Sequence, residues 1–290
     1  MSVFVEQNKT VCDFANSDSW VILSPIEQSI KRKIEAAGTP LKDWDINIYR
    51  GVLTGYNEAF IINTEKRNEI LANCQTEEER RKTEELIRPI LRGRDIKRYG
   101  YNWAGLYLIW IPWHFPLHLD NSIQGASEKA ERAFMVQYPA VYQHLLQYKD
   151  KLSARNKAET GIRYEWYALQ RWGANYWEDF EKPRIIYREI GVEMDACQVE
   201  KGWMINNKLY MISGCNLTHL LNYFNSRLFN KVILSGANLT GGKGVDFIER
   251  IAVPLAAECD LTTTDNDTTP QRLYAFYQLT EEEIKFIENQ

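Results

Sequence analysis

A chain of 290 residues is long enough to bury a substantial core, as one large domain or two small ones. Its apolar share of 44% and charged share of 26% are ordinary for a globular protein and exclude a collagenous or low-complexity chain. The net charge of −4 is uneven: residues 258–290 carry eight acids against two bases, leaving +2 on the preceding 257 residues, so a basic face for nucleic acid is not excluded.

In chain order, residues 18–24 read as a short strand. Ser24-Pro25 then opens a helix to about Ala37, with Ser at the N-cap and Pro at the first helical position. Trp44 to Asn63 reads as a hairpin whose tip is Thr54, Gly55, Tyr56 and Asn57. The spacing predicts a short helix over 64–73 and a longer one over 77–91, with Leu86, Ile87, Ile90 and Leu91 on one face. A basic, turn-rich connection, "RGRDIKRYGYNW" (92–103), leads into a strand at 105–113, and helices follow at about 126–137 and 139–152. Segments 164–171, 184–190, 194–200 and 203–212 read as strands, the last folded into a hairpin at Asn206-Asn207. A helix from about Asn216 carries Leu217, Leu220, Leu221, Phe224 and Leu228 on one face. Residues 258–270 form a polar linker, and 271–290 a short helical tail capped at Thr280. Hairpins and helix pairs without a βαβ rhythm predict an α+β fold, with mixed, largely antiparallel sheets flanked by helix pairs.

Enzymatic signatures are missing. Around Lys243, "GANLTGGKG" (236–244) has Ala where a phosphate-binding loop needs its first Gly and Gly where it needs Ser or Thr. What survives is a Gly-rich loop that could touch phosphate through backbone N–H groups and Lys243. Glu283 and Lys285 match the short half of a nuclease motif, on an acidic helix where that spacing is common. No Pro-Pro pair could build an amino-methylating loop, and no Ser or Cys sits in a G-x-S-x-G context. Five scattered cysteines without a CxxC pair read as reduced thiols. His114 and His118 have a helical metal spacing, but Pro112 and Pro116 argue against a helix there. With no apolar run of 18 residues and no signal-type N-terminus, the expectation is a cytoplasmic chain without membrane contact.

Two groups could meet nucleic acid. Arg88, Arg92, Arg94, Lys97 and Arg98 put five bases in eleven residues against Asp95 alone, and Arg is the residue that makes bidentate contacts to phosphate or guanine. Arg163, Gln170, Arg171, Lys182, Arg184 and Arg188 interleave with Trp166, Tyr167, Trp172, Tyr176 and Trp177. That second pattern is also what core aromatics alternating with surface bases would give.

At this point the chain resembles the TaqI-like specificity domain, the target-recognition part of type II restriction–modification enzymes and related adenine-specific DNA methyltransferases. The resemblance begins with Trp20 to Leu23, Lys33-Ile34-Glu35, and Gly51, Thr54, Gly55, Asn57, Ala59, Phe60 and Ile62. It continues with Ile87, Pro89 and Leu91 through Tyr99, then Tyr138-Pro139 and Arg155. Trp166-Tyr167, Leu169-Gln170-Arg171, Phe180, Lys182-Pro183, Ile185 to Tyr187, and the helix "LLNYFNSRL" complete it, with Phe224 where Leu is usual. It covers about residues 18–257.

The resemblance implies a double-stranded DNA recognition module that positions an adenine for a methyltransferase, with or without a nuclease, which flips the base out of the duplex. Residues 1–257 would be the recognition domain, in one piece or as subregions of about 18–160 and 161–257. Partners would be double-stranded DNA and the methyltransferase and nuclease parts of a parent enzyme. S-adenosylmethionine and Mg2+ would belong to those parts and not to this chain. Arg92, Arg94 and Arg98 fall mainly to phosphates, with room for one of them to reach guanine, and Lys97 to phosphate or base; Gln170, Arg171 and Trp172 fall near bases. Thr54 and Asn57 would hold the hairpin tip, Gly55 would supply its turn, and Tyr56 would choose among bases. The alternative is a scaffold domain of a defence complex that docks a protein and touches DNA weakly.

Overall fold

Ser24 and Pro25 begin a helix as the spacing predicts. The Ser24 backbone N–H and hydroxyl both donate to Glu27 Oε2 at 2.7 Å, closing a capping box. This helix, α1 (Pro25–Ala37), opens the computed structural model, which describes residues 23–159, 163–234, 244–262 and 268–289. Most of the strand expected over 18–24 lies outside the described residues, as does Lys243.

The further helices are α2 (Asn57–Phe60), α3 (Thr64–Ala72), α4 (Glu77–Leu86), α5 (Glu128–Gln137), α6 (Pro139–Leu146), α7 (Lys149–Glu159), α8 (Leu217–Phe224), α9 (Val245–Glu249), α10 (Thr268–Phe276) and α11 (Glu281–Asn289). The strands are β1 (Thr39–Pro40), β2 (Ile46–Arg50), β3 (Ile61–Asn63), β4 (Ile87–Leu91), β5 (Ile96–Lys97), β6 (Gly100–Tyr101), β7 (Leu106–Ile109), β8 (Arg184–Arg188), β9 (Cys197–Val199), β10 (Met204–Ile205), β11 (Leu209–Gly214) and β12 (Ala252–Val253). Two four-stranded sheets carry the fold, in the orders β10-β4-β7-β3 and β2-β11-β8-β9. All pairings in them are antiparallel except β10 with β4. The α+β expectation is met.

The second sheet separates two cores. Along β8, Ile186 joins one core while Ile185 and Tyr187 join the other; along β11, Leu209 and Met211 face the first, Tyr210 and Ile212 the second. Side chains alternate across a strand, so a sheet covered on both faces needs the nearly unbroken apolar runs "IIY" and "LYMI". The first core holds α3, α4, α5 and α6 residues against the first sheet. The second gathers Ile30 and Ile34 of α1, Leu220 and Phe224 of α8, and Leu273, Tyr277 and Ile287 of the C-terminal helices. Both cores therefore take residues from each half of the chain.

Several predicted elements form differently. The helix expected over 77–91 stops at Leu86, and Ile87–Leu91 is a strand paired with β7. Pro89 explains the change, since it cannot donate within a helix and pushes Arg88 toward extended backbone. The apolar set read as one helical face instead alternates along a strand. Residues 164–171 form no strand, only one bridge from Arg171 to Leu53. The helix expected to run through Leu228 breaks at Asn225-Ser226, where the Asn225 amide group bonds both ways with the Ala196 backbone. Within the predicted linker, Cys259 and Leu261 are buried, and Asn222 Nδ2 donates to the Leu261 carbonyl at 2.5 Å.

The most consequential correction concerns Trp44–Asn63, which is not a hairpin. β2 pairs with β11 in one sheet and β3 with β7 in the other. Between them the chain crosses from sheet to sheet at Gly51, whose N–H donates to Leu209 O at 2.9 Å just before Val52 N–H donates to Ile205 O at 2.9 Å. The Asn206-Asn207 turn likewise joins β10 and β11 in different sheets. The two crossings touch: a Cβ on Gly51 would lie 2.2 Å from Asn206 O and 2.5 Å from Ile205 O. Backbone oxygens cannot step aside as a flexible side chain could, so only glycine fits. Gly51→Ala is expected to lose about 3 kcal/mol or fail to fold. Gly100→Ala, where a Cβ would meet nothing within 4 Å, should stay within about 0.5 kcal/mol of the parent in urea unfolding.

Candidate nucleic-acid interface

The crossing extends the first sheet beyond its formal edge. Ile205 lies opposite Leu91 in a parallel pair. Val52 bridges Asn206 in parallel, and Leu53 bridges Arg171 antiparallel with N–H···O bonds of 2.9 Å in both directions. Residues 170–172, 51–54, 204–207 and 87–92 thus lie side by side. Because β4, β10 and the 51–54 segment run the same way, the residues C-terminal to each of them emerge at one end. Arg92–Arg94, Asn207–Lys208 and Thr54–Asn57 are there, and the antiparallel partner adds Gln170–Arg171. A Cβ on Gly93 would sit 3.6 Å from Lys208 Cβ, and one on Gly55 would sit 2.6 Å from Gln170 Oε1. Three strand spacings separate Arg171 from Gly93, about 14 Å.

The tip at 54–57 is a helix start, not a hairpin end. Gly55 has φ +76, the left-handed value expected of it. Thr54 is buried and its hydroxyl donates to Asn57 Oδ1 at 2.7 Å. Tyr56 is half-buried; its hydroxyl donates to Glu58 and accepts from Lys151 Nζ at 2.8 Å. Arg155 fixes this loop to the 166–168 segment. Its guanidinium donates to the carbonyls of Thr54, Trp166 (3.0 Å) and Ala168 and lies over the Phe60 ring at 5.2 Å. Burial lowers its pKa to about 10, so it stays charged at neutral pH.

The bases in the 92–98 loop divide. Arg92 grips Asp95 with Nε–Oδ2 at 3.0 Å and Nη2–Oδ1 at 2.8 Å, and Asp95 Oδ2 also accepts from Arg92 N at 2.8 Å. That hydrogen bonding raises the Arg92 pKa and leaves its fork occupied. Arg94 and Lys97 are exposed and make no ion pair or hydrogen bond through their side chains among the described residues. Arg98 is exposed at the tip of the β5–β6 ribbon, over the Tyr99 ring at 5.3 Å. Arg88 pairs with Glu181.

In the second group, Arg171 is exposed, whereas Trp172 is half-buried with its ring 5.8 Å from that of Trp110. Arg184 corrects the expectation of surface bases. It is fully buried and donates to the carbonyls of Phe180 (3.0 Å), Lys182 (2.9 Å) and Trp203, and burial lowers its pKa to about 10. Arg188 pairs with Asp195, and Lys182 with Asp179 at 3.0 Å. Sequence reasoning missed Lys208 and Asn207; the Asn-Asn-Lys turn was visible, but its place beside the other segments was not.

His114 is turned to Glu165, its Nδ1 3.0 Å from Oε1. Among the described residues no group of three His, Cys, Asp or Glu side chains could hold a metal ion, and no helix is long and apolar enough to cross a membrane.

No curated protein shows significant similarity to the chain. Among solved structures it is similar to the type IIL restriction–modification enzyme MmeI in complex with DNA, at 13% identity and a TM-score of 0.40 over 87% of this chain and 33% of that one. It is also similar to the type IIG restriction endonuclease BpuSI, at 13% identity and a TM-score of 0.45 over 88% and 28%. The chain spans about a third of the length of these proteins. The model of the TaqI-like C-terminal specificity domain matches residues 88–240, which takes in the 92–98 loop, Gln170–Trp172 and the Asn206–Lys208 turn but not Gly51–Asn57. That match covers more than half of the chain, and the protein belongs to the TaqI-like C-terminal specificity domain family.

Proposed function

We propose that this chain is the DNA target-recognition module of a type II restriction–modification enzyme, and that the end of the extended sheet is its DNA-binding edge. The observation that carries the reading is that Arg94 and Arg171 lie on segments that emerge together, neither of them ion-paired among the described residues, with Lys97 and Arg98 exposed on the ribbon that continues from Arg94 toward Ala196 and Arg227. Surface arginines elsewhere in the fold, such as Arg88, Arg188 and Arg227, have carboxylate partners. The span of about 14 Å between the outer segments is close to the width of about 12 Å of a B-DNA major groove. Arg94, Lys97 and Arg98 then neutralise phosphates and set register, while Gln170 and Arg171 lie nearer to base edges.

In this reading Arg92 shapes the loop through Asp95, and Thr54, Gly55 and Asn57 shape the neighbouring one. Tyr56, tied to Lys151 and Glu58, borders the edge, and Trp172 supports it from behind. Lys243 adds a phosphate contact. The edge presents duplex DNA to the catalytic parts of a parent enzyme, an adenine methyltransferase with or without an endonuclease. S-adenosylmethionine and Mg2+ are bound by those parts.

Salt dependence tests the reading. Each phosphate contact contributes about 0.9 to the slope of log affinity against log salt, so the triple variant Arg94→Ala, Lys97→Ala, Arg98→Ala should bind duplex more weakly with a slope reduced by about 2 to 3. An unchanged slope would remove these residues from the interface. Arg92→Lys should behave differently. Lysine cannot reproduce the two-pronged contact to Asp95, so unfolding free energy should fall by about 1 to 2 kcal/mol while the slope holds. A reduced slope with unchanged stability would return Arg92 to the phosphates.

A further inference from the structure

The Asn206–Lys208 turn occupies the middle of the same edge, and it is built to hold a side chain outward without using it. Asn206 Oδ1 accepts from Lys208 N at 3.3 Å, and Leu209 N donates to Asn206 O at 2.9 Å, closing the turn. Arg50 holds it from below: its Nε donates to Asn207 O at 2.8 Å and its Nη2 to Glu189 Oε1 at 2.7 Å. The Asn207 carbonyl is thereby held by Arg50, and the residues on either side of it by the turn's own bonds. The half-exposed Asn207 side-chain amide, in contrast, makes no hydrogen bond among the described residues.

Neighbours define where that amide stands. Asn206 bridges Val52, and its N–H donates to Leu91 O at 3.1 Å, so Asn207 lies between the 53–57 loop and Gly93. Lys208 is exposed, and its Nζ is 3.9 Å from Glu189 Oε2, a carboxylate whose other oxygen already takes Arg50 at 2.7 Å. At 3.9 Å this ion pair is too long for a hydrogen bond, so the Lys208 ammonium keeps its donors for a partner. A fixed backbone, an unspent amide and a flanking ammonium form a compact unit for reading a base beside a phosphate.

Resting on the DNA-binding reading above, we propose that Asn207 reads one base pair in the major groove and that Lys208 contacts an adjacent phosphate. The base class follows from the donor pattern. A carboxamide offers one acceptor and one donor side by side, and adenine alone among the bases presents N6–H2 and N7 as the matching pair. Arg50 acts as a positioning residue, holding the turn without touching DNA.

The test begins by selecting duplexes bound by the whole chain from a random pool, then repeating the selection with Asn207→Ala, Asn207→Asp and Lys208→Ala. Asn207→Ala should lose preference for adenine at one position by about tenfold or more, with its salt slope and melting temperature unchanged. Asn207→Asp, which can only accept, should shift preference at that same position toward cytosine, whose N4 donates. Lys208→Ala should bind every sequence more weakly with a slope smaller by about 1. If both Asn207 variants select the parent sequence with the parent discrimination, the assignment is overturned while the DNA-binding reading stands. If the parent chain itself binds no duplex, that reading falls and the assignment goes with it. Arg50→Lys separates positioning from contact: preference at the Asn207 position should blur while the slope holds, and a lost unit of slope would make Arg50 a DNA contact.

Discussion

Everything at the proposed DNA edge depends on two backbone strands crossing where only a hydrogen atom fits. Gly51 passes the Ile205 and Asn206 carbonyls so closely that a methyl group would stand 2.2 Å from an oxygen. At that point β2 leaves one sheet and the chain joins the other, while the Asn206–Lys208 turn makes the opposite transfer. Had the chain turned back as a hairpin, Thr54–Asn57 would lie at the margin of one sheet. The crossing instead sets them between Gln170 and the Asn207 turn. A close approach of two backbones, unfavourable for any other residue, thus decides which loops are neighbours.

Arginine does two jobs in this molecule. Arg155 and Arg184 are buried and spend their donors on carbonyl oxygens, three each. Carbonyls at chain bends have no ladder partner, and a planar fork with five N–H donors can satisfy several of them at once. Arg92 is intermediate, a partly exposed arginine committed to Asp95. Arg94, Arg98 and Arg171 remain on the surface without a carboxylate partner among the described residues. A guanidinium never loses its charge near neutral pH, so those left unpaired give the edge a lasting positive potential despite the net charge of −4. The acids at the edge are each engaged, Asp95 by Arg92, Glu58 by Tyr56 and Glu189 by Arg50, while Glu281, Glu282 and Glu283 begin α11, where the helix dipole favours them.

Local chemistry was legible in the sequence wherever it was sufficient. The Ser24 cap, the Thr280 cap, the positive φ of Gly55 and the antiparallel β8 and β11 strands follow from propensity and spacing. Partnership was not legible. Leu86, Ile87, Ile90 and Leu91 fit a helical face as well as a strand, and Pro89 was the deciding signal. The 44–63 segment has the alternation of a hairpin, since alternation reports two faces and says nothing about which neighbour a strand takes. Arg184 was indistinguishable from the surface bases around it, because a buried arginine and an exposed one have the same letter and similar flanks. Of the site, the 92–98 cluster and Gln170–Arg171 were found by composition. Their meeting, and Asn207 and Lys208 between them, belong to the topology.

The central claim is that four segments distant in sequence form one DNA-binding edge. Backbone amide hydrogen exchange of the chain, alone and with a duplex selected for binding, addresses it most directly. The account predicts that DNA slows exchange together at 52–57, 92–95, 170–172 and 206–208 and leaves α10 and α11 unaffected. Protection confined to one of these segments, or centred on the C-terminal helices, would contradict it.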